Sequence, residues 1–232
     1  MKLCGIEKLS LVDFDGYVSA TVFTGGCNFL CGFCHNSALV TGGENLAEIP
    51  EEEILSYLKK RQGILEGLCI TGGEPTLHKD LPAFCEKVKS LGYKIKLDSN
   101  GTNPEMLKTL YTNGLIDYCA MDIKNDKDNY GAIIGIDGFD TKKVEKSVEF
   151  LMTSGIDYEF RTTIMQEYHK EYNIKAIASW IAGAKKYFLQ KYKDSENCIT
   201  RGLNPVDTAT AQHFVKILEE KIEKVALRGY DV

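Results

Sequence analysis

Segments rich in β-formers alternate with helix-like segments along this chain, and that alternation limits the fold more than any other feature. The strand-like stretches run Val18 to Phe23, Leu68 to Thr71, Tyr93 to Leu97, Ile116 to Ile123, Tyr158 to Ile164 and Tyr187 to Tyr192. Between and after them come helices expected from Pro50 to about Arg61, His78 to Leu91, Pro104 to Asn113, Thr141 to Ser154, Glu171 to Ala184 and Asp207 to Ala226. Pro50 followed by three glutamates suits a helix N-terminus, and Gly114 and Gly155 are natural stops. A shorter strand and turn precede them, where Leu9-Ser10-Leu11-Val12 leads to Asp15-Gly16.

Strands that alternate with helices pair in parallel through crossover connections. An open doubly wound sheet and a barrel both satisfy that rule. A closed eight-stranded barrel usually takes about 250 residues. With 232 residues and six core strands, the expectation is a partial (β/α)6 barrel of parallel strands with outer helices, forming one domain over residues 1–232. Both architectures gather functional groups at the C-terminal ends of the strands.

The chemistry-bearing motifs fall at those ends. Cys27, Cys31 and Cys34 follow the first core strand in a C-x3-C-x2-C spacing. Thiolates so spaced can converge on one metal from a short loop. A structural zinc site normally has four ligands, and an iron–sulfur cluster of four irons usually takes four thiolates. Three ligands leave one metal position open. Zinc, closed by His35 or a distant cysteine, stays open as an alternative at this point.

Gly72-Gly73-Glu74 follows the next strand, where glycines let backbone approach a ligand and Glu74 can pair with a cation. Asp98-Ser99-Asn100-Gly101 ends the third and is either an Asx turn or a set of hydrogen-bonding groups for a polar ligand. Asp122 and Lys124 share a face of the fourth, as a rim ion pair or as pocket lining. Arg161 and Thr163 share a face of the fifth, and His169 lies just past it.

A net charge of -5 and a pI near 5.5 do not support a general nucleic-acid-binding role. No apolar run reaches the roughly 18 residues a membrane helix needs, and the first residues lack the apolar core of a secretion signal. The expectation is a cytoplasmic protein with no membrane partner. Its eight cysteines then read as reduced thiols or metal ligands rather than a disulfide framework. Cys4, Cys69, Cys85, Cys119 and Cys198 are most simply small buried apolar residues.

Taken together, Phe23-Thr24-Gly25-Gly26-Cys27-Asn28, Cys34-His35-Asn36, Ile70 to Leu77, Leu97 to Gly101 and Met121 to Lys124 resemble the radical S-adenosylmethionine (AdoMet) superfamily. Within it the chain is most similar to the activating proteins of glycyl radical enzymes, those of anaerobic ribonucleoside-triphosphate reductase and of pyruvate formate-lyase. The resemblance covers about residues 9–170, and the last sixty match only in outline. It implies that Cys27, Cys31 and Cys34 bind a [4Fe-4S] cluster whose open iron takes AdoMet. By the same resemblance Phe33, Cys34 and His35 lie beside AdoMet, and Gly73 and Glu74 meet its methionyl amine. Asp98, Ser99, Asn100 and Gly101 border its ribose and carboxylate, and His169 contacts the nucleoside.

Members with an auxiliary cluster carry extra cysteines after the third ligand; none lies here between Cys34 and Cys69, so one cluster is expected. Asp15 departs from the family, which often has proline there. The implied activity is reductive cleavage of AdoMet and removal of hydrogen from a glycine of a partner enzyme, with flavodoxin or ferredoxin as electron donor. The competing readings are a radical AdoMet enzyme acting on a small molecule, similar to 7-carboxy-7-deazaguanine synthase, and a zinc-binding module without enzymatic activity.

Overall fold

The computed structural model describes residues 1–231, Glu44 by its backbone alone; Val232, the last residue of the expected domain, lies outside. The strands follow one another across a single, mostly parallel sheet in the order β1 to β8, with β1 and β8 at its two ends. The chain groups into two compact units, one of Met1–Asn28 with Ala38–Ala120, the other of Phe29–Ser37 with Met121–Val232.

In the first unit β1 (Leu3–Ser10) pairs antiparallel with β2 (Ser19–Thr24). The short α1 (Ser37–Thr41) and then α2 (Glu51–Lys60) lead to β3 (Gly67–Gly72), which runs parallel to β2. Three acids open α2, two lysines close it, and Ile54 and Leu58 bury one turn apart. After α3 (Leu81–Ser90), β4 (Lys94–Ser99) pairs in parallel with β3. Asn103 caps α4 (Pro104–Thr112) by accepting from Met106 N at 3.3 Å. The register Thr24↔Gly72 brings the C-terminal ends of β2 and β3 side by side.

The chain leaves this unit through β5 (Tyr118–Asp122). The second unit holds α5 (Tyr130–Ile134), α6 (Lys142–Ser154), β6 (Asp157–Ile164), α7 (Glu171–Trp180), β7 (Tyr187–Lys191), α8 (Thr208–Glu219) and β8 (Val225–Arg228). Strands β6, β7 and β8 are parallel. Gly155, at φ +88°, stops α6 in a left-handed cap. Each unit has its own apolar core, with Val22, Ile70, Leu97 and Phe84 in the first and Phe160, Leu189, Ile177 and Leu218 in the second.

The expected α/β architecture of parallel strands and outer helices is what the chain adopts, and the six expected core strands are β2 to β7. One strand and several boundaries differ. The helix expected to reach Ala226 ends at Glu219, and Val225–Arg228 is a strand instead. Four residues are too few to announce a strand by period; pairing with β7 creates it. Helix α7 stops at Trp180 rather than Ala184, ahead of Gly183 at φ +85°. The polar stretch after β5 contains the single turn-and-a-half of α5.

Candidate active site

In the first unit, the ends of β2 and β3 are locked together backbone to backbone. Gly73 N donates to Thr24 O at 2.8 Å, and Glu74 N donates to Gly26 O at 2.8 Å. A Cβ on Gly73 would stand 1.9 Å from Gly26 O, so only glycine permits this approach. His78 Nε2 reaches Gly25 O at 3.1 Å from the following turn.

The Glu74 carboxylate is 1% exposed and points into the protein. Its Oε1 accepts from Thr76 N at 3.1 Å, Ser99 Oγ at 2.9 Å and, in a very short contact, Thr76 Oγ1. Its Oε2 accepts from Asn100 N at 2.6 Å. Burial pushes this carboxyl above the usual range, and the four donors pull it back. Ser99 Oγ also accepts from Gly101 N at 3.1 Å, which completes the turn after β4.

That turn reaches the first cysteine. Asn100 Nδ2 donates to Asn28 Oδ1 at 2.8 Å and lies 3.9 Å from Cys27 Sγ. Asn28 Nδ2 donates to Thr102 Oγ1 at 3.0 Å, Thr102 Oγ1 donates to Asn100 Oδ1 at 2.7 Å, and Thr102 N reaches the same oxygen at 3.0 Å. Cys27, Gly73, Glu74, Ser99, Asn100 and Gly101 are therefore parts of one connected structure. The Asp98 carboxylate lies 2.8 Å from the Lys96 ammonium on the same face of β4.

The second unit carries the rest of the cysteine segment. Leu30 N donates to Ile134 O at 2.9 Å, and Cys34 N to Cys31 O at 3.0 Å, which closes a tight turn between the two thiols. Lys124 lies with its Nζ 5.4 Å from the centre of the Phe33 ring and 2.8 Å from Asp122 Oδ2. Burial disfavours its charge, but Asp122 and the Cys31 sulfur outweigh that and hold its pKa above the ordinary lysine value. Burial pushes the Cys34 thiol up, and Lys124 opposes the rise. The two ways of reading Asp122 and Lys124 thus merge: they are an ion pair, extended by Arg161 Nε at 3.0 Å, and they face the cysteine loop. The His35 ring meets Tyr192 edge-on with centroids 6.1 Å apart.

His169, expected to contact a nucleoside, is 2% exposed. Met165 N donates to its Nδ1 at 3.1 Å, so Nε2 carries the proton and donates to Lys124 O at 3.0 Å. Both ring nitrogens serve the backbone beneath Lys124. Burial pulls this imidazole down to about 4 from 6.5. The unfolded chain therefore binds one more proton between those values, so stability is full above about pH 6.5 and falls as pH drops toward about 4, by about 3 kcal/mol. Burial lowers His78 as well and adds to the same slope. In His169→Gln the amide keeps the donor to Lys124 O and loses the titration. Urea unfolding of metal-free protein should show a distinctly shallower acid slope in this variant; an unchanged slope would refute the assignment.

Lys124, Asn28 and Thr76 are site residues that sequence reasoning left undecided or missed. Asn28 carried a signal in its place directly after Cys27. Thr76 carried none beyond its nearness to Glu74.

The sequence pattern of the Radical SAM superfamily matches residues 21–178. The chain belongs to that superfamily. It is 31% identical over 230 residues, 97% of this chain and 94% of the other, to a protein of Methanocaldococcus jannaschii provisionally named a glycyl-radical enzyme activating enzyme. It is 25% identical to the 7-carboxy-7-deazaguanine synthase of Koribacter versatilis over 79% of this chain and 75% of that one. Among solved structures, a domain of pyruvate-formate lyase-activating enzyme from Bacteroides vulgatus superposes with a TM-score of 0.58 at 18% identity, over 71% of this chain and 99% of that one. Streptococcus suis SuiB bound to S-adenosylmethionine gives 0.70 at 14% identity, over 88% of this chain and 48% of that one.

Radical SAM enzymes use a [4Fe-4S] cluster and AdoMet, and the donor chemistry here suits such a cluster. The loop offers three thiols, and among the described residues no cysteine is in a disulfide. The Lys124 ammonium interacts with the Cys31 sulfur, and the Asn100 amide N–H lies 3.9 Å from Cys27 Sγ, so each of these sulfurs has an electropositive group beside it. Among the described residues no three His, Cys, Asp or Glu side chains are already arranged around a metal position. No helix among them is long and apolar enough to cross a membrane.

Proposed function

We propose that this radical SAM enzyme activates a glycyl radical enzyme, removing a hydrogen atom from a glycine of that partner. The observation that carries this reading is the 31% identity over nearly the whole chain to a protein with that name. Anaerobic ribonucleotide reductase is the partner to try first, and flavodoxin or ferredoxin the electron donor, in the cytoplasm. The chain is proposed to work as one radical SAM domain over residues 1–232.

In this reading Cys27, Cys31 and Cys34 hold the cluster. When bound, cluster and AdoMet together supply a 5′-deoxyadenosyl radical, and the protein supplies position and exclusion of water. The backbone at Gly73 and Glu74 faces the methionyl amine, with the Glu74 carboxylate fixing that turn onto Ser99 and Asn100. The segment Asp98, Ser99, Asn100 and Gly101 borders the ribose and carboxylate, and Phe33, Cys34 and His35 lie beside the cofactor. His169 acts on the nucleoside side through the backbone of Lys124, which it anchors.

A second reading is a radical SAM enzyme for a small molecule, favoured by the similarity to 7-carboxy-7-deazaguanine synthase. The two are separated by anaerobic incubation with AdoMet, a reductant and candidate glycyl radical enzymes. Activation gives a glycyl radical signal in the partner by electron paramagnetic resonance, with 5′-deoxyadenosine formed in step. Deoxyadenosine that rises with a small acceptor and never with any partner protein rejects the proposal.

A further inference from the structure

The segment between β7 and α8 lies in the part of the chain where the family resemblance is weakest, yet it lies directly on the cysteine loop. It begins at Tyr192, whose Oη donates to Asp194 Oδ1 at 2.8 Å. Asp194 Oδ2 accepts from Gly202 N at 3.1 Å, so one carboxylate closes residues 192–202 into a compact loop. From that loop Thr200 N donates to Gly32 O at 2.8 Å, and Cys198 Sγ lies 3.8 Å from Phe33 O as donor. Cys198 is 6% exposed. A Cβ on Gly32 would stand 2.6 Å from Thr200 Oγ1 and 3.0 Å from Thr200 Cβ, so glycine is what lets the loop close here.

The two carbonyls it binds belong to the peptide units between Cys31 and Cys34. A trans peptide is planar, with its N–H opposite its C=O. Fixing Gly32 O and Phe33 O therefore fixes the N–H directions of Phe33 and Cys34 as well. Backbone N–H groups near the sulfurs help set the potential of an iron–sulfur cluster.

We propose that residues 192–202 form a strap whose contacts at Thr200 and Cys198 hold the Cys31–Cys34 turn in its metal-binding shape. The strap governs how firmly the loop retains its cluster and how readily the cluster takes an electron. The inference rests on the cluster assignment given above and adds positioning residues to it. Cys198 acts here as a hydrogen-bond donor to Phe33 O and not as a fourth ligand.

The test reconstitutes each variant anaerobically with iron and sulfide. It then follows bleaching of the charge-transfer absorbance by a strong chelator, together with the midpoint potential. Gly32→Ala should lose its cluster roughly tenfold faster, the scale of one lost hydrogen bond. Thr200→Gly, which removes the clashing side chain and keeps the N–H, should retain the cluster normally alone and restore most of the retention in the Gly32→Ala background. Cys198→Ala should shed the cluster faster and show a more negative potential, whereas Cys198→Ser keeps a donor and should resemble the parent chain. The Cys198 pair keeps the test decisive if Gly32→Ala does not fold. A parent chain that takes up no iron and sulfide overturns the cluster assignment and the strap with it. A parent that does, beside variants indistinguishable from it, or a Cys198→Ser variant that cannot hold the cluster, overturns the strap alone.

Discussion

Cys31→Ala removes cluster binding and AdoMet cleavage together. Two thiolates remain on a loop that needs three. The expected result is complete loss: iron and acid-labile sulfide fall to background, and dithionite yields no 5′-deoxyadenosine from AdoMet. Cys85→Ala is the matched control. Cys85 is fully buried in α3, and burial pushes its thiol up to about 12, so it is a packing residue and no ligand. Its loss costs some stability and leaves cluster and cleavage intact. Cleavage that survives in Cys31→Ala at more than a trace would falsify the cluster assignment.

Glu74→Ala should be the most damaging change outside the cysteines. It strips the acceptor from Thr76 N, Thr76 Oγ1, Ser99 Oγ and Asn100 N, all in a site closed to water. Leaving such donors buried without a partner costs about 1–3 kcal/mol each when nothing relaxes, and the two hydroxyls can turn away while the two backbone groups cannot. A loss of roughly 3–5 kcal/mol follows from the backbone pair and the cavity. Glu74→Gln fits the space but sets an NH2 group against one of the backbone N–H donors whichever way the amide is turned. Its cost should be about 1–3 kcal/mol. Urea unfolding of metal-free protein measures both. A glutamine variant as stable as the parent, binding AdoMet equally well, would mean that the carboxylate does not organise the turn.

The strand ends and the cysteine loop were legible because their signals are local. Gly72-Gly73 after a β-rich run, or Pro50 before three glutamates, declares its geometry within a few residues. Strand β8 was hidden because Val225–Arg228 becomes extended only through pairing with β7. Glu74 was visible as a candidate but not in its orientation, since the groups that claim it come from Ser99 and Asn100, a whole strand–helix unit away. His169 was visible by type and position, whereas its inward fate depends on Met165 N and Lys124 O, which no periodicity reports. The strap was missed for the same reason: Cys198 and Thr200 matter through Phe33 and Gly32, more than 150 positions earlier.

The triangle of Asn28, Asn100 and Thr102 has a sense of rotation. A main-chain N–H can only give, so the Thr102 N–H identifies the atom it meets as the carbonyl oxygen of Asn100. The Asn100 amide is thereby pinned face-on, the Thr102 hydroxyl must give to that oxygen and take from Asn28, and Asn28 must take from Asn100. No member can turn round by itself. The Cys27 sulfur accordingly always meets the electropositive edge of that amide and never its oxygen, an orientation dictated by one peptide hydrogen two residues further along the chain.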